Sequence, residues 1–506
     1  MKHSRLDLGR PARRLRGQLV LCALLGALTA AGLAPLGWWW LAMPALTALV
    51  WILSQENGWR AATALGWFAG AGYFAAGMFW IVNPFLIDVH QDGWMAPFAL
   101  VFMSFGMALF WALAAGLAVP LGRDRRGRAL AFAVLLAATA LLRTYVLTGF
   151  PWNLVGHIWI DAWPAQVAAL VGAIGLTLMT TVAAAAPTAF GPVRGVIFSC
   201  ALLAAAGGYG RWRLDQPEPV PAHPGIVRLV QPNATQSLKW RPDLERQFFA
   251  RLMEQTALPG TPKPDLIVWP ETSVPFLLNR AGQALQLIAS AANGAPVALG
   301  IQRTENNLAY NSLAVIDPSG QVTSTYDKHH LVPFGEYIPL GDLLYQVLGI
   351  PNYAPSQGYG YTPGPGAAVL DLGPLGTALP LICYEAVFPQ DVSAAPRRAD
   401  WMLQVTDDAW FGILSGPFQH LAQARLRAIE QGLPMLRDAN TGVSAVIDAR
   451  GRVLQSLPML AQGHIDAAIP GALPPTPYSR TGDTPMAVLL LMLAFGLFLR
   501  RRRIDH

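Results

Sequence analysis

Three segments of this chain place an ionisable side chain at or near the end of a short run of strand-like residues. Cys383 follows the run Leu379–Ile382. Glu271 follows Leu266–Trp269 after a single proline, and Lys328 lies in a segment rich in ionisable groups. A thiol, a carboxylate and an ammonium in one pocket suit acyl transfer: the carboxylate takes the thiol proton, while the ammonium favours the thiolate and then stabilises the oxyanion. The three residues are far apart along the chain, and nothing in the composition requires them to lie together in space.

Each of these residues also has a structural interpretation. A lone cysteine beside polar groups is commonly a small core residue, and Glu271 taken alone is an ordinary loop glutamate. The adjacent His329 and His330 suggest metal ligands, but no cysteine or carboxylate stands nearby at zinc-site spacing, so we expect no metal site. The other two cysteines lie in long apolar segments, which leaves Cys383 without a disulfide partner in its own domain.

The composition is that of an integral membrane protein. Of 506 residues, 53% are hydrophobic and only 13% are charged, and the mean hydropathy is positive. The basic residues gather at the chain ends and in short loops, so membrane orientation explains them better than nucleic acid does. Only four of the 36 basic residues are lysines, namely Lys2, Lys239, Lys263 and Lys328. A genome-wide bias is one explanation of this imbalance, and a local need for a compact, pKa-tunable ammonium is another.

Eight apolar runs predict eight membrane spans, seven of them within residues 17–209 and one at 485–499. The runs lie at roughly 17–34, 37–53, 62–82, 94–120, 129–149, 165–187, 193–209 and 485–499. A cleavable signal peptide is the alternative for the first run, but further spans follow at once, which favours a retained anchor. The basic N-terminus 1–16 and the basic tail 500–506 are then both cytoplasmic by the positive-inside rule. The segment between spans seven and eight is therefore extracytoplasmic.

That segment predicts a layered α/β domain over 225–470, with linkers at 210–224 and 471–484. The predicted strands are Ile226–Val230, Leu266–Trp269, Pro296–Ile301, Ser312–Ile316, Leu379–Ile382, Met402–Val405 and Val443–Ile447. The predicted helices are Pro242–Thr256, Ala281–Ala292 and Gln419–Gly432. Asp317–Gly320 and Asp448–Gly451 have the residue types of hairpin turns.

Three motifs give the chain a family resemblance. Trp269-Pro270-Glu271, Tyr326-Asp327-Lys328 and Cys383-Tyr384-Glu385 resemble the Glu, Lys and Cys motifs of the carbon–nitrogen hydrolase (nitrilase) superfamily, in order and spacing. The sequence from His330 to Glu336, together with the predicted membrane spans, resembles the apolipoprotein N-acyltransferase branch of this superfamily. The similarity covers nearly the whole chain and includes Gly149–Trp152, Gln231–Asn233, Lys239-Trp240, Asp408–Gly412, Gly416–His420 and Asn440–Gly442.

The resemblance implies a multi-pass α-helical membrane domain plus an αββα sandwich. It implies Cys383 as nucleophile, Glu271 as general base and Lys328 as oxyanion stabiliser. Further residues match family positions that are important for activity, namely Glu336, Tyr384, Glu385 and Trp240. One departure is Asp407, where the family usually has asparagine; it puts any hydrogen-bond donation from that position in doubt.

The implied reaction is a two-step transfer. An acyl chain passes from a membrane phospholipid to the cysteine as a thioester, and then to the α-amine of the N-terminal S-diacylglyceryl-cysteine of an apolipoprotein. No cofactor is expected, and neither nucleic acid nor an oligomeric partner, so the chain is expected to act as a monomer in the bilayer. The implied location is the bacterial inner membrane, with the catalytic domain in the periplasm.

Two other functions are considered, one enzymatic and one not. A membrane-tethered nitrilase-type amidohydrolase would pass the thioester to water. A transporter or assembly scaffold with an inert domain should have lost one of Glu271, Lys328 and Cys383, and all three are present. Transporters also tend to carry ionisable groups inside their spans, for which Arg143 is the main candidate, expected at the outer end of span five. The segment Pro351–Pro365, rich in glycine and tyrosine, is interpreted as a mobile lid at the membrane interface.

Overall fold

The computed structural model describes residues 9–239, 241, 243–348 and 360–502. The chain forms two units. The first contains the chain up to Leu214 and again from Asp483, and the second is Asp215–Gly482.

The first unit is helical because its sequence consists of long runs of alanine, leucine, glycine and aromatic residues with few polar interruptions. Its helices are α1 Gly9–Ala30, α2 Trp39–Gln55, α3 Trp59–Gly77, α4 Val89–Asp92, α5 Ala96–Leu121, α6 Arg125–Tyr145, α7 Ala168–Phe190, α8 Pro192–Leu214 and, after the second unit, α16 Thr484–Arg502. Each predicted apolar run therefore contains a helix.

Within the described residues, five helical stretches are long and apolar enough to cross a membrane. They are Val89–Leu121, Arg125–Tyr145, Trp163–Phe190, Pro192–Leu214 and Thr484–Arg501. A sixth candidate is a pair bent by 52°, α3 followed by the 3-10 helix Phe79–Leu86, and the apolar stretches Leu15–Ala30 and Trp39–Gln55 are shorter. The count of eight crossings and the predicted domain bounds stay predictions.

Arg143 lies in the last turn of α6 and is buried. Its guanidinium donates hydrogen bonds to the carbonyl oxygens of Phe150 and Trp152, both at 2.7 Å. These carbonyls belong to an irregular segment that lacks helical partners, and buried carbonyls need donors. Arg143 thus stabilises the connection after α6, which is a structural task and needs no transport function.

The second unit contains twelve strands and seven helices among the described residues. The strands are β1 Ile226–Gln231, β2 Leu266–Trp269, β3 Val297–Glu305, β4 Leu308–Ile316, β5 Val322–Asp327, β6 Leu370–Asp371, β7 Thr377–Ile382, β8 Trp401–Thr406, β9 Met435–Ala439, β10 Ser444–Ile447, β11 Val453–Leu457 and β12 Gly463–Ala468. The helices are α9 Gln236–Lys239, α10 Glu245–Ala257, α11 Gly282–Ala291, α12 Gly341–Leu348, α13 Pro389–Ser393, α14 Gly416–Gln431 and α15 Pro477–Thr481.

The strands form two six-stranded sheets. Sheet 1 has the order β12-β1-β2-β3-β4-β5, and sheet 2 has the order β11-β10-β9-β8-β7-β6. Strands β1, β2 and β3 are parallel to one another, as are β7, β8 and β9, and the other pairs are antiparallel. Parallel strands bring their carboxyl ends to one edge, so the segments after β2, β7 and β8 are placed where polar side chains can meet.

Successive side chains of one strand point into different hydrophobic cores, which shows how the sheets and helices are layered. In β2, Leu266 and Val268 belong to the core between the two sheets, whereas Ile267 and Trp269 pack in a second core with α10 and α11. A third core joins the outer face of sheet 2 to α14. Strands buried on both faces read as continuous apolar runs. The order helix, sheet, sheet, helix is the predicted αββα sandwich.

All seven predicted strands are present, and the two predicted turns close the hairpins β4–β5 and β10–β11. The three predicted helices match α10, α11 and α14. Strands β5, β6, β9, β11 and β12 were not predicted from the sequence. Strand β5 (Val-Thr-Ser-Thr-Tyr-Asp) is an edge strand with mostly exposed side chains, and β11 is likewise exposed, so neither has the apolar run that the prediction used.

Candidate active site

Cys383 begins a short 3-10 helix, Cys383–Val387, directly after β7. Its φ is +51°, a conformation that side-chain-bearing residues seldom adopt and that a surrounding structure must hold in place. Its carbonyl oxygen provides that hold: Gln404 Nε2 lies 3.2 Å away and His420 Nε2 lies 3.0 Å away. The residue is only 5% exposed. The predicted nucleophile is thus a buried residue on a sharply turned strand end.

His420 connects this carbonyl to a buried charge pair. Its Nδ1 lies 2.8 Å from Asp408 Oδ1, and Asp408 also forms an ion pair with Arg437. Burial would raise the pKa of Asp408, but Arg437 and His420 lower it to about 2. Burial and Arg437 lower the pKa of His420. His420, held by Asp408, therefore fixes the main chain of Cys383 through its contact with the carbonyl oxygen.

Glu271 follows β2 after Pro270, and both of its carboxylate oxygens are held. Asn311 Nδ2 donates to Oε1 at 2.7 Å, and the backbone N–H of Asp407 donates to Oε2 at 2.8 Å. Burial raises the pKa of Glu271, and Lys328 only partly offsets that increase. A carboxylate with a raised pKa is a better proton acceptor than an ordinary one, so the geometry and the electrostatics both suit a general base.

Lys328 follows β5 directly and is almost completely buried. Its Nζ lies 2.9 Å from Glu336 Oε1 and 3.5 Å from Glu271 Oε1. Burial alone would lower the pKa of Lys328, but Glu336 and Glu271 raise it well above its usual value. The side chain is therefore an ammonium at neutral pH, as a group that stabilises an oxyanion must be.

The pKa of Cys383 corrects one expectation. From the sequence, the ammonium of the lysine is expected to favour the thiolate. Burial and the neighbouring Glu271 instead raise the pKa of Cys383 well above its usual value, and Lys328 opposes this in the expected direction without reversing it. The resting side chain is a neutral thiol, because the desolvation of a thiolate outweighs one nearby cation.

Two of the four predicted supporting residues, Glu336 and Tyr384, have simple contacts. Glu336 contacts the ammonium of Lys328 directly, and its Oε2 accepts a hydrogen bond from the backbone of Val332 at 2.7 Å. The ring of Tyr384 packs against the rings of His330 and Phe388, with centroids 5.6 and 4.7 Å away. Trp240 lies outside the described residues, as do residues 351–359 of the predicted lid.

Glu385 fastens the cysteine segment to the lysine segment. Its Oε2 accepts a hydrogen bond from the backbone N–H of Ile382 at 2.7 Å. Its Oε1 accepts from the hydroxyl of Tyr326 and from the backbone N–H of His329, both at 2.8 Å. Ile382 precedes Cys383, and His329 follows Lys328. One fully buried carboxylate therefore links the segment of Cys383 to the segment of Lys328.

Three contributors were not assigned from the sequence. Asn311 in β4 donates from one amide nitrogen to Glu271 and to Glu336, at 2.7 and 3.2 Å. Lys239 and Asp407 form a buried ion pair beside Glu271. The rarity of lysine was a usable signal for Lys239, whereas Asn311 lies inside a strand and has no strand-end signal. Among the described residues, no group of three His, Cys, Asp or Glu side chains is placed to bind a metal ion.

Gly300 in β3 gives a first prediction, because a Cβ there would lie 2.3 Å from the carbonyl oxygen of Pro270 and 2.6 Å from the Cα of Glu271. These are backbone atoms that cannot move aside cheaply. Gly300→Ala is expected to displace the glutamate and reduce the rate of acyl transfer by about 100-fold, since a shift of 1 Å near a reacting group costs that much. Single-turnover kinetics of the variant measure this.

Gly282→Ala is the matched control, since a Cβ at Gly282 meets no atom within 4 Å. A Gly300→Ala protein with the full wild-type rate would contradict the proposed close approach.

Two family models match this chain, one in each of its two units. A family model described as carbon-nitrogen hydrolase matches residues 226–477, and one described as the apolipoprotein N-acyltransferase N-terminal domain matches residues 25–186. The sandwich, its buried Cys, Glu and Lys, and the apolar helices define the class: a membrane-bound protein with a carbon–nitrogen hydrolase domain.

Relatives specify the family. Apolipoprotein N-acyltransferase of Allorhizobium ampelinum is 38% identical, over 94% of each chain, and that of Caulobacter vibrioides is 41% identical, over 87% of this chain and 86% of its own. The chain belongs to the apolipoprotein N-acyltransferase family. Among solved structures, an amidase from Nesterenkonia sp. is 18% identical, with a TM-score of 0.37 over 54% of this chain and 97% of its own.

The predictions of this family, of the fold class and of an acyltransferase in lipoprotein maturation are thereby confirmed. The same family assignment favours acyl transfer over the amidohydrolase alternative. The roles of individual residues rest on the geometry and chemistry of this site, and they are taken up as proposals below.

Proposed function

We propose that this chain transfers an acyl chain from a membrane phospholipid, through a thioester on Cys383, to the α-amine of the N-terminal S-diacylglyceryl-cysteine of an apolipoprotein. One observation carries the proposal. The buried thiol of Cys383 shares a site with the hydrogen-bonded carboxylate of Glu271 and the ammonium of Lys328: the last two lie 3.5 Å apart, and Glu385 links the Lys328 segment to the Cys383 segment.

In the first half-reaction, Glu271 takes the proton of Cys383, and the sulfur attacks the ester carbonyl of the phospholipid. The ammonium of Lys328 stabilises the negative charge that develops on the carbonyl oxygen. The tetrahedral intermediate then breaks the bond to the glycerol oxygen. Glu271 returns the proton to that oxygen, so a lysophospholipid leaves and a thioester remains.

In the second half-reaction, the acceptor amine attacks the thioester carbonyl. Glu271 takes a proton from the amine, and the carbon–sulfur bond breaks as the amide forms. The proton is then available to the departing sulfur, which restores the neutral thiol that burial favours. The raised pKa of Glu271 suits both directions of proton transfer, because the ideal acid–base catalyst has a pKa near the working pH.

Glu336 is proposed to position Lys328. Its Oε1 lies 2.9 Å from the ammonium, and its Oε2 is engaged by a backbone N–H. With both oxygens engaged it is less suited to take up a proton than to fix the cation. Tyr384 and Glu385 are proposed to support the cysteine segment through packing and hydrogen bonds, and Trp240 is proposed as a substrate contact by family resemblance alone.

The helical unit supports attachment to a membrane, which is where both lipid substrates reside. We propose the inner membrane, eight spans, both termini in the cytoplasm and the catalytic domain in the periplasm, on the distribution of arginines between the spans. A monomer is proposed, because the three reacting groups all come from one chain.

The test uses purified protein in detergent with phospholipid alone, followed by a diacylated lipopeptide. Intact-mass spectrometry is expected to show one acyl adduct, located at Cys383 by peptide mapping, which disappears as the lipopeptide gains the same acyl mass. Release of free fatty acid as the main product, without lipopeptide acylation, would support hydrolysis instead and would overturn the proposal.

A further inference from the structure

Beside the proposed base lies an ion pair that the reaction scheme does not use. Lys239, the last residue of α9, places its Nζ 2.6 Å from Asp407 Oδ2. The two side chains are 6% and 3% exposed, so the pair is largely removed from water. Burying two charges is costly unless they are paired and otherwise hydrogen-bonded. A buried pair beside the proposed base therefore suggests a function for the pair beyond packing.

Both members of the pair contact Glu271, by different routes. Lys239 Nζ donates to the main-chain carbonyl oxygen of Glu271 at 3.1 Å and to the hydroxyl of Thr272 at 2.8 Å. The backbone N–H of Asp407 donates to the carboxylate of Glu271 at 2.8 Å. The pair therefore connects the main chain that carries the base to the amide group that orients its carboxylate.

Asp407 is in turn fixed through its second oxygen. Oδ1 accepts hydrogen bonds from Asn440 Nδ2 at 3.0 Å and from the backbone N–H of Ala409 at 3.2 Å. The Asp407 side chain accepts hydrogen bonds from Lys239, Asn440 and the backbone of Ala409, so its contacts in this structure do not need the donor that an asparagine would supply. An asparagine here could accept the same bonds through its oxygen, but its NH2 group would point at the ammonium of Lys239.

We propose that Lys239 and Asp407 act as a positioning pair, which holds Glu271 in place and balances the charge beside it during acyl transfer. The inference rests on the proposed role of Glu271 as general base. In a chain that uses arginine for nearly all its cations, a lysine here provides the compact ammonium that reaches three oxygen atoms at once.

The pair acts within a crowded charge environment. The ionisable groups around Glu271 are Lys328 after β5, Glu336 in the following loop, Asp407 after β8, Lys239 at the end of α9, Cys383 after β7 and Tyr361 before β6. The negative charge of Asp407 raises the pKa of Glu271, and Lys328 lowers it. The ammonium of Lys239, which is paired with Asp407, is expected to offset part of the increase that Asp407 causes in the pKa of Glu271.

Single removals should therefore move the acidic limb of the pH–rate profile in opposite directions. The base works as a carboxylate, so activity is lost as pH falls through its pKa. Asp407→Asn removes an anion, lowers that pKa and extends activity to lower pH. Lys239→Met leaves the anion unpaired, raises the pKa and moves the limb to higher pH. Shifts of about one pH unit are expected from charges at this range.

The experiment measures the rate of acyl-adduct formation on Cys383 in single turnovers from pH 5 to 9. Its variants are Lys239→Met, Asp407→Asn and the double variant Lys239→Met/Asp407→Asn. We expect Lys239→Met to slow the reaction at neutral pH by at least tenfold and the double variant to recover part of that loss. Lys263→Met, which removes an exposed lysine, is the matched control and should keep the wild-type profile.

Two results would separate the possible failures. Wild-type profiles for both single variants, in a protein whose wild type forms the adduct, would overturn the positioning role and leave the proposed function intact. A wild type without any adduct would instead contradict the proposed function. If Lys239→Met does not fold, as judged by circular dichroism, the nearly isosteric Asp407→Asn decides alone: a limb that does not move to lower pH overturns the inference.

Discussion

Replacing Cys383 with alanine is expected to abolish the acyl adduct and lipopeptide acylation together. The sulfur atom is the only group at this position that can hold the acyl chain between donor and acceptor, and no base or cation can substitute for it. The fold should survive. The main-chain carbonyl keeps its contacts with Gln404 and His420, and losing one buried sulfur costs about 1 kcal/mol of unfolding free energy.

Intact-mass spectrometry with phospholipid measures the adduct, and thermal melting checks the fold. Cys200→Ala is the matched control because that cysteine belongs to α8, in the helical unit. The control should keep both the adduct and the turnover. Lipopeptide acylation by a folded Cys383→Ala protein would contradict the thioester route and point to direct transfer.

Replacing Glu271 with glutamine is expected to slow formation of the thioester by a factor of about 10³, the usual size of a general-base contribution. The amide cannot take the thiol proton, and the raised pKa of Cys383 means that few thiolates form without help. The amide also fits poorly. Both oxygens of the glutamate accept from donors, Asn311 and the Asp407 backbone, so an NH2 group must face one of them.

The pH dependence supplies the second measurement. In the wild type, activity should fall as the pH drops through the raised pKa of Glu271, so the acidic limb lies above the range of an ordinary glutamate. This limb should be missing from the residual activity of Glu271→Gln. Glu254→Gln, on the exposed side of α10, is the matched control. A variant that keeps the wild-type limb would show that another group is the base.

Much of the site follows from one local rule, that polar side chains at or near the ends of buried strands are candidates for the site. Glu271 near the end of β2 and Cys383 directly after β7 obey it, whereas Lys328 follows β5, a strand that was not predicted. In the structure Lys328 lies 3.5 Å from Glu271, and Glu385 links the segment of Lys328 to the segment of Cys383. The sandwich was also predictable where buried strands consist of apolar residues, as in β2 and β7, whereas the equally buried β9 carries Arg437 and Asp438 and was missed. The exposed strand β11 lacked that pattern and was missed.

The contacts that refine the site join segments that no local pattern connects. Asn311 lies within β4, and its amide reaches Glu271 and Glu336 only because β4 is a neighbour of β3 and β5 in sheet 1. The raised pKa of the Cys383 thiol was not predictable for a similar reason. A sequence shows which charges are present, but the desolvation of Cys383 depends on how completely the fold excludes water.

The buried, weakly acidic thiol has a consequence for chemical labelling. Common alkylating reagents react with thiolates, so they should modify Cys383 slowly even in fully active protein. Titration with such reagents would then undercount active sites. An electrophile that carries a fatty chain and an ester-like carbonyl should do better, because it can use the same base and cation as the substrate. Inhibitor screens for this protein are therefore better built on acyl-like warheads than on general thiol reactivity.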